Sequence, residues 1–214
     1  MVTVKKIIMV RFLLASLVYT MIGCESLSKQ ECLNANWRLI GFEDGSQGKQ
    51  ESTIGAHRKA CAKVNVTPDL AEYQRGHREG ARKYCVKTTA YNLGVSGGAY
   101  YGVCPADLEP GFLKAYQTGQ ELYNINRQIA AVQADIDRYD EDIHAFEADI
   151  AEHEKIIVDV SSSSKTRREQ LRIIDDLRYQ MTGVELNIAN AEQELRALQM
   201  DYQHVQNQHR KMGY

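Results

Sequence analysis

Residues 122–160 read LYNINRQIAAVQADIDRYDEDIHAFEADIAEHEKIIVDV, and their apolar positions decide the fold of this chain. Leu122, Ile125, Ile129, Val132, Ile136, Tyr139, Ile143, Phe146, Ile150, His153, Ile157 and Val160 follow one another in unbroken steps of three and four. That is a single a/d seam with a period of about 3.5 residues. Val160-Ser161-Ser162-Ser163-Ser164-Lys165 then has nothing to bury and reads as a turn. Thr166-Arg167-Arg168-Glu169 resembles a capping box, with the Thr166 hydroxyl on the third helical N–H and Glu169 reaching back. A second seam continues through Leu171, Ile174, Leu177, Met181, Val184, Ile188, Ala191, Leu195, Leu198, Tyr202 and Val205. Its irregular step between Leu171 and Leu177 reads as a stammer.

Two equal arms around a polar turn at 160–165 predict an antiparallel coiled-coil helical hairpin over residues 113–214. An arm of 39 residues extends about 58 Å at about 1.5 Å per residue. Glu147, Asp149, Glu152 and Glu154 close the first arm, and Arg167, Arg168, Arg172 and Arg178 open the second. Folding at the serines sets these clusters side by side, although exposed pairs give only about 0.2–1 kcal/mol each. An unbroken parallel dimer is the alternative, and it leaves the four serines and the cap without a role. His153 on the seam reads as a tolerated, partly exposed core residue rather than a pH sensor.

Working back from the seam, the composition changes. Of 15 glycines only Gly183 and Gly213 lie beyond residue 121, and Pro68, Pro105, Pro110 and the single Trp all precede it. The chain therefore divides into a tether at 24–31, a glycine- and cysteine-containing head at 32–112, and the helical tail. The expected fold class is mainly α, a small disulfide-linked helical head followed by the hairpin. In the head, Thr67-Pro68-Asp69 starts a helix that runs to about Cys85, with Thr67 as N-cap and Pro68 at the first helical position. Gly76 and Gly80 cost that helix about 1 kcal/mol each relative to alanine, which points to close approach of another backbone. An aromatic-x-x-glycine pattern recurs at Phe42–Gly45, Tyr73–Gly76, Tyr91–Gly94 and Tyr116–Gly119, three of the four in stretches of helical character. It is a weak internal-repeat signal.

At the N-terminus, Lys5, Lys6 and Arg11 precede an uncharged run from Phe12 to Ile22. This is a basic region followed by a secretory apolar core, too short to span a bilayer, which takes roughly 20 apolar residues. Met9 offers an alternative start that keeps a sufficient signal. Met21-Ile22-Gly23-Cys24 resembles the cleavage site of bacterial lipoproteins. The resemblance implies removal of residues 1–23, acylation of Cys24, and lipid anchoring to an envelope membrane. Glu25, where aspartate resembles an inner-membrane retention signal, favours the outer membrane. Simple secretion is the competing reading.

Cys32, Cys61, Cys85 and Cys104 remain, an even number in an exported chain, and read as two disulfides. Three pairings are open. Local loops close most easily, which favours Cys32–Cys61 with Cys85–Cys104. No Cys-x-x-Cys or His-Glu-x-x-His spacing supports a metal, and no cofactor is expected. Net charge is −2. The tail, residues 122–214, holds 17 acidic against 11 basic residues, while residues 24–121 are balanced. Neither part is a basic surface for nucleic acid.

The head residues carry a resemblance. Trp37, Gly41, Asp44-Gly45 and Gly48 are followed by His57 and Cys61, then Tyr73-x-x-Gly76-x-Arg78-x-Gly80-x-x-x-Tyr84-Cys85. Gly94-x-x-Gly97, Tyr100-Tyr101-Gly102-Val103-Cys104-Pro105, Phe112, Tyr116 and Gly119 complete the order. Over about residues 30–125 these resemble an uncharacterised family of proteobacterial envelope lipoproteins, with His77 where the pattern leads one to expect arginine. The resemblance implies a small cysteine-containing head, a helical tail and no assigned activity.

Three functions follow as expectations. The first is an outer-membrane-anchored, periplasm-facing lipoprotein that is structural or docks an envelope protein through the hairpin. The second is a ligand-binding module built on Gly94, Gly97, Tyr100 and Tyr101. The third, an envelope enzyme, lacks a Gly-x-Ser-x-Gly elbow, a phosphate loop and a spare cysteine. Asp44, His57, Asp69, His77 and Glu79 are its only acid/base candidates in the head.

Overall fold

The computed structural model describes residues 27–214, so the signal segment 1–23 and Cys24 lie outside the described residues. The described chain is mainly α-helical, with no strand among its residues: α1 (Lys29–Leu33), α2 (Trp37–Ser46), α3 (Ile54–Cys61), α4 (Leu70–Tyr84), α5 (Lys87–Val95), α6 (Glu109–Val158) and α7 (Ser164–Lys211). Single 3₁₀ turns at Glu51–Thr53 and Ala62–Val64 flank α3. Two compact units emerge. One holds the chain through Cys85 with Tyr101–Pro105, and the other holds Val86–Tyr100 with Ala106–Tyr214. α6 begins at Glu109 and runs through residue 112 without interruption.

In the first unit, α2 and α4 meet backbone to backbone. A Cβ added to Gly41 would land on the Tyr73 carbonyl, and one on Gly76 would land on the Arg38 carbonyl. One helical turn on, Gly45 faces the His77 carbonyl and Gly80 the Phe42 carbonyl. The contacts advance in the same sense along both helices, so the two run side by side in one direction. Small residues every fourth position permit this approach, and Cα–H groups then stand against carbonyl oxygens. Trp37, Ile54, Tyr73 and the Cys32–Cys61 disulfide form the core beside it, with Leu27, Ile40, Val64 and Val66 packed around them. Cys85 and Cys104 form the second disulfide.

The second unit repeats the device. Gly94 on α5 faces the Tyr116 carbonyl, and Gly119 on α6 faces the Tyr91 carbonyl. The correspondence extends well beyond these two. Gly48 and Gly97, each three residues past its notch glycine, both have positive φ (74° and 70°) and lie against the rings of Tyr84 and Tyr123. A side chain there would be strained twice, by the backbone and by the ring. The His77 ring donates to the Lys49 carbonyl at 2.7 Å, and the Tyr116 hydroxyl donates to the Gly98 carbonyl at 2.8 Å. Positions 38–46 of α2 map onto 87–95 of α5 with one offset, and positions 70–84 of α4 map onto 109–123 of α6 with another. Phe42–Gly45 with Tyr73–Gly76–Gly80, and Tyr91–Gly94 with Tyr116–Gly119, are two copies of one glycine-notched helix pair.

Along α6 the seam positions Leu122, Ile125, Val132 and Ile136 are buried, and the rest through Ile157 are half-buried. On α7, besides Thr166 and Ile173, the half-buried or buried positions are Gln170, Ile174, Leu177, Met181, Val184, Ile188, Ala191, Leu195, Leu198, Tyr202, Val205 and His209, and these last twelve form the seam. These steps alternate four and three throughout. The stammer is therefore absent: Leu171 is 50 % exposed, and Gln170 holds the seam, hydrogen-bonded to the His153 ring.

Three helix starts differ from the sequence reading, each because a nearer acceptor reaches the free amides. α4 is capped by Asp69, whose carboxylate takes the Glu72 N–H at 3.0 Å, so Thr67 and Pro68 precede the helix. α7 is capped by Ser163, which takes the Thr166 N–H at 3.1 Å, and the turn occupies Asp159–Ser163. Residues 29–31, read as tether, begin α1 behind a Ser28–Glu31 capping box.

The Cys32–Cys61 bridge closes a loop with a sequence separation of 29. Replacing both cysteines by serine is expected to lower unfolding free energy by about 3 kcal/mol, measured by urea denaturation followed by circular dichroism.

Candidate functional site

The first copy of the helix pair buries a carboxylate. Asp44 sits on α2 one residue before the notch at Gly45, and is 4 % exposed. His57 Nε2 donates to its Oδ2 at 2.6 Å, the Tyr73 hydroxyl donates to the same oxygen at 2.8 Å, and Lys49 Nζ donates to Oδ1 at 2.9 Å. His57 is itself 3 % exposed, and its Nδ1 has no hydrogen-bond partner among the described residues. The His57 and Tyr73 rings meet edge-on at 6.0 Å, and Tyr73 stacks on His77, also at 6.0 Å.

Electrostatics follow from this packing. Burial alone would raise the Asp44 pKa, but the hydrogen bonds from His57, Lys49 and Tyr73 outweigh it and hold the carboxyl below its ordinary value. Burial, then the adjoining carboxylate, push the Tyr73 hydroxyl far above the usual phenol range. The cluster is thus an ionised carboxylate clamped by donors from α2–α3, α3 and α4.

The second copy shows what the fold itself requires. Leu93 occupies the place of Asp44, Phe112 that of Tyr73, Ala90 that of Gly41 and Ala115 that of Gly76. The connection is residues 50–68 in the first copy and 99–107 in the second, and only the first contains a helix, α3, which brings His57 and Cys61. A carboxylate is therefore not needed to pack the helix pair. It belongs to the α3 insertion, which it holds down from one side while Cys32–Cys61 holds it from the other.

His77 also lines a cavity of about 410 Å³ in the first unit, with Gln50, Ser52, Arg78, Tyr101 and Cys104. Gln50 donates to the Tyr101 carbonyl at 3.3 Å across it. Asp44 and His57 do not reach this cavity. Of the other acid/base candidates, Asp69 caps α4 and Glu79 pairs with Arg38 at 2.6 Å on the surface.

Each residue read as a ligand surface has contacts within its own unit. Gly94 lies under the Tyr116 carbonyl and Gly97 under the Tyr123 ring. Tyr100 packs on Phe112 at 4.8 Å, its hydroxyl bonded to Glu109 at 3.0 Å. Tyr101 alone lines a cavity, and it is 61 % exposed.

In the second unit a histidine ends the α7 seam. His209 is 1 % exposed, its Nδ1 accepting from the Tyr91 hydroxyl at 3.2 Å and its Nε2 facing Glu121 at 3.1 Å. Tyr214 stacks on Tyr91 at 4.8 Å. Counting the seam through apolar residues stops at Val205, although one further step of four lands on His209.

Asp44→Ala is expected to destabilise the protein by about 3–5 kcal/mol, since it strands buried donors. The sign of the pH effect follows from the depressed folded pKa. The Asp44 contribution is present above the unfolded carboxyl value, about 3.9, and is lost as pH falls through the lower folded value. Denaturant titrations from pH 7 to pH 2 should show a steep acid loss in the wild-type chain and a flatter one in Asp44→Ala.

Comparison of the chain with curated proteins and with solved structures gives no match. One family does match, described as protein of unknown function (DUF2799), over residues 36–121. That span opens at the α2 N-cap Asn36 and closes two residues after Gly119, so the DUF2799 domain found here is the duplicated glycine-notched helix pair.

Proposed function

We propose that this chain is an envelope lipoprotein, anchored through Cys24 to the outer membrane, whose helical tail is a protein-interaction element facing the periplasm. One observation carries the reading. α6 supplies the second helix pair of the DUF2799 domain and then continues, as the same helix, to Val158. A helix of 50 residues is about 75 Å long at about 1.5 Å per residue. The tail is thus built into the domain instead of hanging from a linker.

An antiparallel hairpin is the arrangement of α6 and α7 that best fits the contacts. His153 meets Gln170 near the serine turn, Arg178 lies 3.6 Å from Glu154, and His209 meets Glu121 at the far end. From the turn to the far end, contact positions fall from His153 to Glu121 on α6 while they rise from Gln170 to His209 on α7, which supports that direction. Long paired helices serve as spacers and docking faces, and the Asp44 cluster supports a rigid base for them rather than a reaction centre.

Two experiments test this in the native host. Cys24→Ser should move the protein from the membrane fraction to the soluble fraction, and unchanged fractionation contradicts the anchor. Photo-crosslinking residues at Glu141 and Gln193 should give discrete adducts, and a truncation after Leu122 should lose the wild-type phenotype. Absence of adducts together with a fully active truncation contradicts the interaction role.

A further inference from the structure

α7 carries a second heptad register on the side opposite its seam. Tyr179, Gly183, Leu186, Asn190, Gln193, Ala197, Met200 and His204 step by four and three, each two residues after a seam position. Two residues along a helix is about 200° of rotation, so this stripe faces away from α6. All eight positions are exposed, Tyr179 to 81 %, Leu186 to 62 % and Met200 to 66 %. None carries a formal charge, on a helix otherwise rich in acidic and basic residues. Solvent exposure gives no reason for Tyr179, Leu186 and Met200 to share one heptad position, with the uncharged Gln193 between them. A partner helix does.

We propose that this outer stripe pairs with the same stripe of a second copy of the chain, the two α7 helices lying parallel and in register. The inference rests on the tail being the interaction element, and it names the partner of one face. Charge selects both occupant and direction. Gly183, Asn190, Ala197 and His204 form one core position of the heptad, and Tyr179, Leu186, Gln193 and Met200 the other. Thr182, Ala189 and Arg196 then flank the stripe on one side, with Gln180, Asn187, Glu194 and Asp201 on the other. In a parallel pair each residue of the first flank meets the residue five further on in the second flank of its partner. Arg196 thereby meets Asp201 of the second copy, twice by symmetry, while Ala189 meets Glu194 and Thr182 meets Asn187. No like charges oppose each other.

An antiparallel pair centred on Asn190 sets Arg196 against Thr182 and Asp201 against Gln180, and makes no ion pair. Among the described residues Arg196 pairs with Glu192, at 3.5 Å. Asn190 falls at a self-facing core position, where paired amides fix register and favour two strands at a cost in stability. A two-fold axis makes the contact self-complementary.

The test uses the full chain in a Cys24→Ser background, with circular dichroism confirming that each variant is folded. Sedimentation velocity is expected to show a dimer that Leu186→Glu converts to monomer. Arg196→Asp and Asp201→Arg should each weaken association by about tenfold, and the double variant should restore it. Ala197→Cys should form a chain-to-chain disulfide with itself on oxidation. A wild-type chain that stays monomeric overturns the proposal, as does a dimer indifferent to both charge reversals. Crosslinking of Ala197→Cys only to Gly183→Cys overturns the parallel direction. A monomeric chain whose tail truncation still loses the phenotype defeats self-pairing and leaves the interaction reading standing.

Discussion

Two helices can approach to backbone contact only where neither side chain intervenes, and this chain uses that constraint three times. Gly41 with Gly76, Gly45 with Gly80, and Gly94 with Gly119 each set a Cα against the carbonyl three residues before the partner glycine. At this spacing the crossing leaves no room for a methyl group, and the flanking side chains are placed as a consequence. Tyr73 and Phe112 are driven into the cores, 0 % and 1 % exposed. His77 and Tyr116 are carried to the carbonyls of Lys49 and Gly98. The glycines spend helix propensity, about 1 kcal/mol each, on a contact that only they permit.

Duplication of this pair separates what the fold needs from what each copy adds. The first copy adds α3, a disulfide on that helix and a buried carboxylate to receive it. The second dispenses with all three, replacing Asp44 by Leu93, and instead lengthens its second helix into the tail. One copy is a cross-linked base and the other is the root of a long helix.

The parts legible in the sequence were those with a period. The α6 seam could be counted residue by residue, because a 3.5 spacing leaves one face for apolar groups. On α7 the same counting went astray where the seam is polar. Gln170 answers His153, so an apolar search stepped onto the exposed Leu171 and inferred a stammer, and it stopped at Val205 short of His209. The four aromatic-x-x-glycine matches were visible as a recurrence. Which helix each would face was not, since reciprocal notches separated by a helix and a loop leave no local trace. Asp44 and His57 stood in the sequence as ordinary candidates. Their meeting depends on α3 folding over the notch, which no spacing encodes. The cap at Asp69 lies two residues after the expected Thr67 and the cap at Ser163 three before the expected Thr166, each where a side-chain acceptor reaches a free amide.

The most direct measurement is of alanine at the notches. Urea denaturation of Gly80→Ala and Gly119→Ala, set beside Gly111→Ala at an exposed position of α6, isolates the crossing contact from propensity. With nothing near its added methyl group, Gly111→Ala should gain up to about 1 kcal/mol. Gly80→Ala and Gly119→Ala should each lose about 2 kcal/mol or more, as overpacking against a fixed backbone requires. Stability at or above the wild-type value in either notch variant would contradict the account.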